Sequence, residues 1–293
     1  MTSNYLKEFE ELNTTTDSIY DLGDYNVLII LKDGTNLTSW NDVRNKYDII
    51  YVSEDLSDYT DLYKHYSGLE SVKAIVAWGL NSEVVTLNKM FLGCSSLKDI
   101  SSLADWDVSN VFNMGLMFEE CFELEDISPL KNWDVSNVIK MHGMFWDCSS
   151  LVDISPLQDW DVSTAHDMER LFEGCSALED TSPLKDWDVS SVDHMWCMFE
   201  GCCGLKDLSG LESWDVSKVH DIGCMFEGCS SLVDLDSLRG WDVSNVTNMW
   251  CMFQRCSNLE DISALNEWDV SNVDRMRDMF YKCNSLKEYP KWY

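Results

Sequence analysis

Eight of the twelve cysteines fall in one phase. They are Cys94, Cys121, Cys148, Cys175, Cys202, Cys229, Cys256 and Cys283, each 27 residues after the one before. Thiols in register invite metal or redox chemistry. If the repeats stack as parallel strands, neighbours stand about 4.8 Å apart with parallel Cβ vectors, too far and wrongly aimed for a disulfide. A small apolar thiol also suits a buried turn, so the ladder reads as packing. Cys197, Cys224 and Cys251 form a second, shorter ladder, each five residues before a member of the first. That spacing is not the C-x₂₋₄-C of a zinc site, and no further ligand pattern accompanies it.

Histidine and aspartate are neighbours in three successive repeats, at His166-Asp167, Asp193-His194 and His220-Asp221. This is the one constellation that resembles an acid–base or metal site. The equivalent positions elsewhere carry Asn113, Lys140, Asn248 and Arg275, so the group reads as a solvated convex face. A row of tryptophans, Trp106, Trp133, Trp160, Trp187, Trp214, Trp241 and Trp268, could be taken for a sugar-binding platform. Seven exposed indoles would form a large apolar patch, so an internal stack is the simpler reading. Trp146, Trp196 and Trp250 lie off that phase and are better placed for a surface contact. No Gly-rich phosphate loop, G-x-S-x-G, H-E-x-x-H or calcium-binding nonapeptide occurs, and no cofactor is implied.

Two aspartate columns remain. Asp107, Asp134, Asp161, Asp188, Asp215, Asp242 and Asp269 each follow a tryptophan and precede a Val-Ser pair. An Asp there favours the positive end of a following helix. Asp99, Asp126, Asp153, Asp180, Asp207, Asp234 and Asp261 sit beside an apolar strand residue and should face outward. Aligned at the parallel-strand spacing they make an acidic stripe roughly 29 Å long. It is the candidate binding surface, suited to a protein partner with a basic face or to loosely held cations.

A strict 27-residue period with no insertion is the mark of a solenoid, because each unit needs its neighbours to bury its apolar face. A propeller blade needs about 40 residues. In the unit from Val111, the residues Val111, Met114, Met117, Phe118 and Cys121 fit one face of a helix of about three turns, with Ser109 as its cap. Ile127 reads as the inward residue of a short strand that Pro129 ends. Trp133 and Val135 close the coil.

The run Trp241-Asp242-Val243-Ser244-Asn245-Val246-Thr247-Asn248-Met249, leading to Met252-Phe253 and Cys256-Ser257-Asn258-Leu259, resembles the repeat of the BspA-like leucine-rich-repeat surface proteins, also seen in mycoplasma lipoproteins. The resemblance covers about residues 68–293. Its departures are mild: Thr164-Ala165 for Asn-Val, Leu171 for Met and Ile222 for Met. It implies an α/β solenoid of short parallel strands and short helical segments. It also implies a non-catalytic protein-interaction role at the cell surface, with adhesion as the family-level expectation.

Residues 1–67 lack the repeat. Strands are expected over 25–32 and 48–53, a turn at Asp33-Gly34, and helices over 39–47 and 57–65. These make a small α/β cap over 1–67. The solenoid over 68–293 then has a degenerate first coil, seven full repeats from Met90 and a truncated last coil. Tyr289-Pro290-Lys291-Trp292-Tyr293 would blunt its far edge. The net charge of −31 argues against nucleic acid and against an anionic membrane surface. No apolar run approaches the roughly 20 residues of a membrane span. The first eight residues lack the pattern of a signal peptide, which favours either an intracellular chain or one parted from its targeting segment. An intracellular scaffold is therefore the second reading. An enzyme in the cap, with His65 as its one histidine and no cysteine, is a distant third.

Overall fold

The computed structural model describes residues 18–23, 26–30, 48–57, 59, 61–80 and 82–293. Four strands lead in: β1 (Ser18–Gly23), β2 (Asn26–Ile30), β3 (Asp48–Asp55) and β4 (Ala74–Trp78), forming one sheet in that order. β1 and β2 are antiparallel, and β2, β3 and β4 run parallel. β2 and β3 lie where the apolar runs placed them. β1 has no counterpart among the expected strands, because its Ile19, Tyr20 and Leu22 are too brief a run for alternation to show. The turn at 33–34 and the helix over 39–47 fall outside the described residues. Among the described residues of 57–65 the expected helix is absent and tight turns stand in its place: the His65 amide bonds the Leu62 carbonyl, and Lys64 is left-handed at φ 59°. β4 passes the sheet to the solenoid through a parallel bridge between Ala74 and Asp99.

Each coil is a chain of tight corners. Apolar residues recur every third position, and the amide of one bonds the carbonyl of the apolar residue before it. In the second full coil this links Val111 to Val108, Met117 to Met114, Cys121 to Phe118, Leu124 to Cys121, Leu130 to Ile127 and Trp133 to Leu130, at 2.9–3.3 Å. Every corner points its apolar side chain inward, and all ten of those positions from Val108 to Trp133 are buried. A three-residue period with i→i−3 bonds is the geometry of successive turns and 3₁₀ segments.

The three-turn helix expected over Val111–Cys121 is therefore absent, and the two sides of the coil exchange roles. Left-handed residues occur at two 27-residue phases, represented by Leu116 (φ 57°) and Glu120 (φ 60°), and a left-handed residue ends any α-helix. Their amides and those of Met114 and Phe118 reach instead to the next coil, bonding the carbonyls of His142, Trp146, Lys140 and Met144 at 2.8–2.9 Å. This is the continuous parallel ladder of the molecule. The strand expected at Ile127 does not form: its segment leads directly into a 3₁₀ turn, Ser128–Leu130, and on this side of the repeats only single bridges such as Asp180 to Asp207 and Asp234 to Asp261 occur. Pro129 sits in its first turn, where a missing amide costs nothing.

Between the two sides runs a core of aligned columns. Tyr66, Phe91, Phe118, Phe145, Phe172, Phe199, Phe226, Phe253 and Phe280 stack at centroid distances of 5.2–5.8 Å. Burying each ring contributes about 1.5–3 kcal/mol before stacking is added. The tryptophan row is internal, as expected, and each indole Nε1 donates to a carbonyl of the preceding coil, as Trp133 does to Leu103 at 2.8 Å. At the far end Tyr289 and Tyr293 pack on Phe280, and Trp292 donates to the Leu265 carbonyl, so the terminal residues close the stack. Among the described residues, no helix is long and apolar enough to cross a membrane.

Candidate functional site

The strand-side column stands in the structure as a row of turn-closing carboxylates. The Oδ1 of Asp99, Asp126, Asp153, Asp180, Asp207, Asp234 and Asp261 each accepts the amide of the residue two further on, at 2.7–3.2 Å. Six of the seven are exposed and Asp99 is half-buried. Asp180 and Asp207 face each other as bridge partners, as do Asp234 and Asp261. The column repeats because every coil needs the same corner closed before its 3₁₀ turn. The second column does equivalent work. Asp107 accepts both the amide and the hydroxyl of Ser109, at 3.1 and 2.6 Å, so it closes a turn and has no helix end to stabilise. The serine hydrogen bonds hold the carboxyls of Asp107, Asp188, Asp215 and Asp269 below the usual range.

The positions read as a convex helical surface are in fact the ladder. Asn113, Lys140, Asp167, His194, Asp221, Asn248 and Arg275 are consecutive parallel bridge partners. Backbone and core hardly change from coil to coil there, while the outward side chain changes at almost every step. The His–Asp neighbours are drawn to this face without forming one centre. His166 and His220 point to solvent. Asp167 lies 3.1 Å from His142 Nδ1, and Asp221 accepts the Asn248 amide at 2.9 Å and the Gly223 amide at 2.9 Å. Burial pushes Asp167 up, but the close approach of His142 outweighs it and the carboxyl is held low. The hydrogen bond to Asp193 raises His194.

The off-phase tryptophans meet on the same face. The guanidinium of Arg170 lies between two indoles, 4.6 Å from the Trp146 ring centre and 4.2 Å from that of Trp196, and its Nη1 pairs with Glu173 at 2.6 Å. Trp250 stands further along and is exposed. Burial and the neighbouring Glu200 carry the Glu173 carboxyl up to about 7 against the pull of Arg170.

The cysteines divide by environment. Each of the eight ladder thiols is buried and donates to the carbonyl of the aromatic residue of the preceding coil, as Cys148 does to Phe118 at 3.2 Å. Burial raises Cys121, Cys148, Cys202, Cys229 and Cys256 well above an ordinary thiol, which makes them poor nucleophiles. Cys197, Cys224 and Cys251 form a separate cluster beneath Trp196. They occupy the left-handed slot of three successive coils, at φ 58°, 55° and 56°. Sγ of Cys197, Sγ of Cys224 and a carboxylate oxygen of Glu200 lie within 4.8 Å of one another. Spacing along the chain concealed this group, because its members meet by stacking. The legible signal is the repeated Cys-Met-Phe-Glu at Cys197–Glu200 and Cys224–Glu227.

Comparison with known proteins adds the following. No curated protein matches the chain. Among solved structures it is similar to a leucine rich cell surface protein of Faecalibacterium prausnitzii A2-165, at 13% identity and a TM-score of 0.38, covering 94% of this chain and 92% of that one. It is also similar to the leucine rich repeat protein of T. pallidum, at 14% identity and a TM-score of 0.30, covering 94% and 90%. The family described as "Mycoplasma protein of unknown function, DUF285" matches over residues 60–181, 151–235 and 203–292. Those overlapping matches span the whole repeat array, in keeping with the mycoplasma-type repeat read from the Trp-Asp-Val-Ser and Met-Phe motifs, and the chain belongs to the DUF285 family.

Proposed function

We propose that this chain is a non-catalytic protein-interaction solenoid that acts at the cell surface as an adhesive or binding protein. The observation that carries the reading is the ladder face. One backbone geometry is repeated coil after coil, and the outward residue changes from Asn113 to Lys140, Asp167, His194, Asp221, Asn248 and Arg275. A rigid frame with changing side chains and partly exposed indoles at Trp146, Trp196 and Trp250 suits recognition of a folded partner, since aromatic anchors dominate protein interfaces. The strand-side column from Asp99 to Asp261 plays a second part. Its exposed carboxylates draw in a partner with a basic surface, an attraction that salt weakens.

The test is adhesion of beads carrying the purified chain to intact cultured animal cells. The wild-type chain should bind. A Trp196→Ala, Trp250→Ala variant should lose most of that binding. A variant with Asp126, Asp153, Asp180 and Asp207 changed to Asn should bind more slowly and with less dependence on salt. Binding no greater than that of uncoated beads would remove the surface reading. Capture confined to cytosolic fractions would favour the intracellular scaffold.

A further inference from the structure

The eight ladder cysteines have a structural task, because each thiol satisfies a buried aromatic-residue carbonyl of the coil before. Cys197, Cys224 and Cys251 do not share it. They lie outside the main core, and the solenoid does not require cysteine at their position: the same slot holds Lys89, Leu116, Gly143, Arg170 and Asp278 in other coils. It is also a costly position for a side chain, since left-handed φ is unfavourable for residues other than glycine, asparagine and aspartate.

The neighbouring coil shows what the slot does electrostatically. Arg170 there supplies a cation to Glu173, three residues on. In the next two coils the cation is replaced by a thiol, giving Cys197 with Glu200 and Cys224 with Glu227. The carboxylates stay half-buried on a chain of net charge −31. Glu227 has Arg255 Nη1 at 3.6 Å, and Cys251 Sγ accepts the side-chain amide of Gln254 at 2.7 Å. The two thiols of Cys197 and Cys224 and the Glu200 carboxylate face one another, with Glu227 also hydrogen-bonded to Cys224.

We propose that Cys197, Cys224 and Glu200 form a binding site for a thiophilic divalent cation, with Zn²⁺ as its type. Thiolate sulfur selects soft and borderline ions over Ca²⁺ and Mg²⁺, and a carboxylate completes a mixed set of the kind zinc accepts. Tetrahedral zinc with Zn–S near 2.3 Å and Zn–O near 2.0 Å needs ligand atoms about 3.5–3.8 Å apart. The observed group, within 4.8 Å, reaches that by small side-chain rotations. Water takes the fourth position. Binding replaces two S–H protons by two metal–sulfur bonds and releases both protons to solvent, while the Glu200 carboxylate supplies a metal–oxygen bond. The bound centre carries one negative charge in total. Because binding displaces two thiol protons, affinity rises with pH.

The experiment is a titration of the reduced full-length chain with Co²⁺, followed by displacement with Zn²⁺. One equivalent of Co²⁺ should produce thiolate-to-cobalt charge-transfer absorption and the visible bands of a tetrahedral site, and Zn²⁺ should remove both. The Cys197→Ser, Cys224→Ser double variant should lose the absorption. Glu200→Gln should weaken binding by at least about tenfold. Cys203→Ser, which alters an exposed thiol outside the group, should bind as the parent does. Circular dichroism melts confirm that each variant is folded. No charge-transfer absorption in the parent, or absorption that survives in the folded double variant, would overturn the proposal.

Discussion

The thiol of Cys148 donates to the main-chain carbonyl of Phe118, 3.2 Å away in the coil before, and the same bond recurs along the ladder. The ladder thiols are buried, and burial raises Cys121 and Cys148 well above an ordinary thiol. Alkylation of the native chain should therefore modify Cys203, the one exposed thiol among the described cysteines, within minutes. Denaturation under argon should release all twelve. Mass spectrometry counts the adducts, and rapid native labelling at Cys121 or Cys148 would contradict the packing.

Phe199 and Trp146 make a paired test of inside and outside. Phe199 is fully buried between Phe172 and Phe226, so Phe199→Ala should cost about 3–5 kcal/mol. Trp146 is half-buried against Arg170, and Trp146→Ala should cost roughly 1–2 kcal/mol, the range of an exposed cation–π contact with some packing. Urea melts of the two variants should differ in midpoint. Equal losses would mean that the faces are misassigned.

Gly210 has no room for a side chain. A Cβ there would meet the Thr181 carbonyl oxygen at 1.8 Å, which the backbone cannot yield without moving the coil. Gly210→Ala should destabilise by about 1–3 kcal/mol or more. The position two coils on already holds Ala264, so Ala264→Gly should cost under about 1 kcal/mol, as an exchange of chain entropy.

The aspartate column can be divided into its turn and its charge. Changing Asp126, Asp153, Asp180 and Asp207 to Asn keeps the accepting oxygen of each corner and removes like-charge repulsion, so the melting temperature should hold or rise. Ala at the same sites removes the acceptor and should cost about 0.5–1 kcal/mol at each. Equal melting of the Asn and Ala sets would show that the turns do not need the side chain.

Stability should rise as pH falls from about 8 to about 5. Glu173 is carried up to about 7 in the fold, so it binds a proton there before the unfolded chain does, and burial raises Glu119, Glu169 and Glu227 in the same direction. His194, raised by Asp193, likewise favours the lower pH, its contribution being lost as pH rises through its folded value. The gain from Glu173 is of order 1–3 kcal/mol. Below about 4 the sign reverses, because the depressed carboxyls of Asp107, Asp188, Asp215 and Asp269 lose their turn bonds on protonation. Melting against pH should peak between those limits, and Glu173→Gln should flatten its alkaline side.

The sequence by itself determined the solenoid, its period, the inward phases of Phe, Trp and Cys, and strands β2 and β3. Each of these depends on which residues repeat, and burial of a repeated apolar residue is the same whatever the local backbone does. Only the tertiary structure decided which side of the coil carries the ladder. Val111, Met114, Met117 and Cys121 suit a helix and a run of three-residue corners equally well, since both bring every third residue to one side. The choice rests on where the amides of Leu116 and Glu120 find acceptors, and those are the carbonyls of His142 and Trp146 in the next coil. The same stacking assembled Cys197, Cys224 and Glu200. Residues 27 apart in the chain become neighbours only when hydrogen bonds between coils set them side by side.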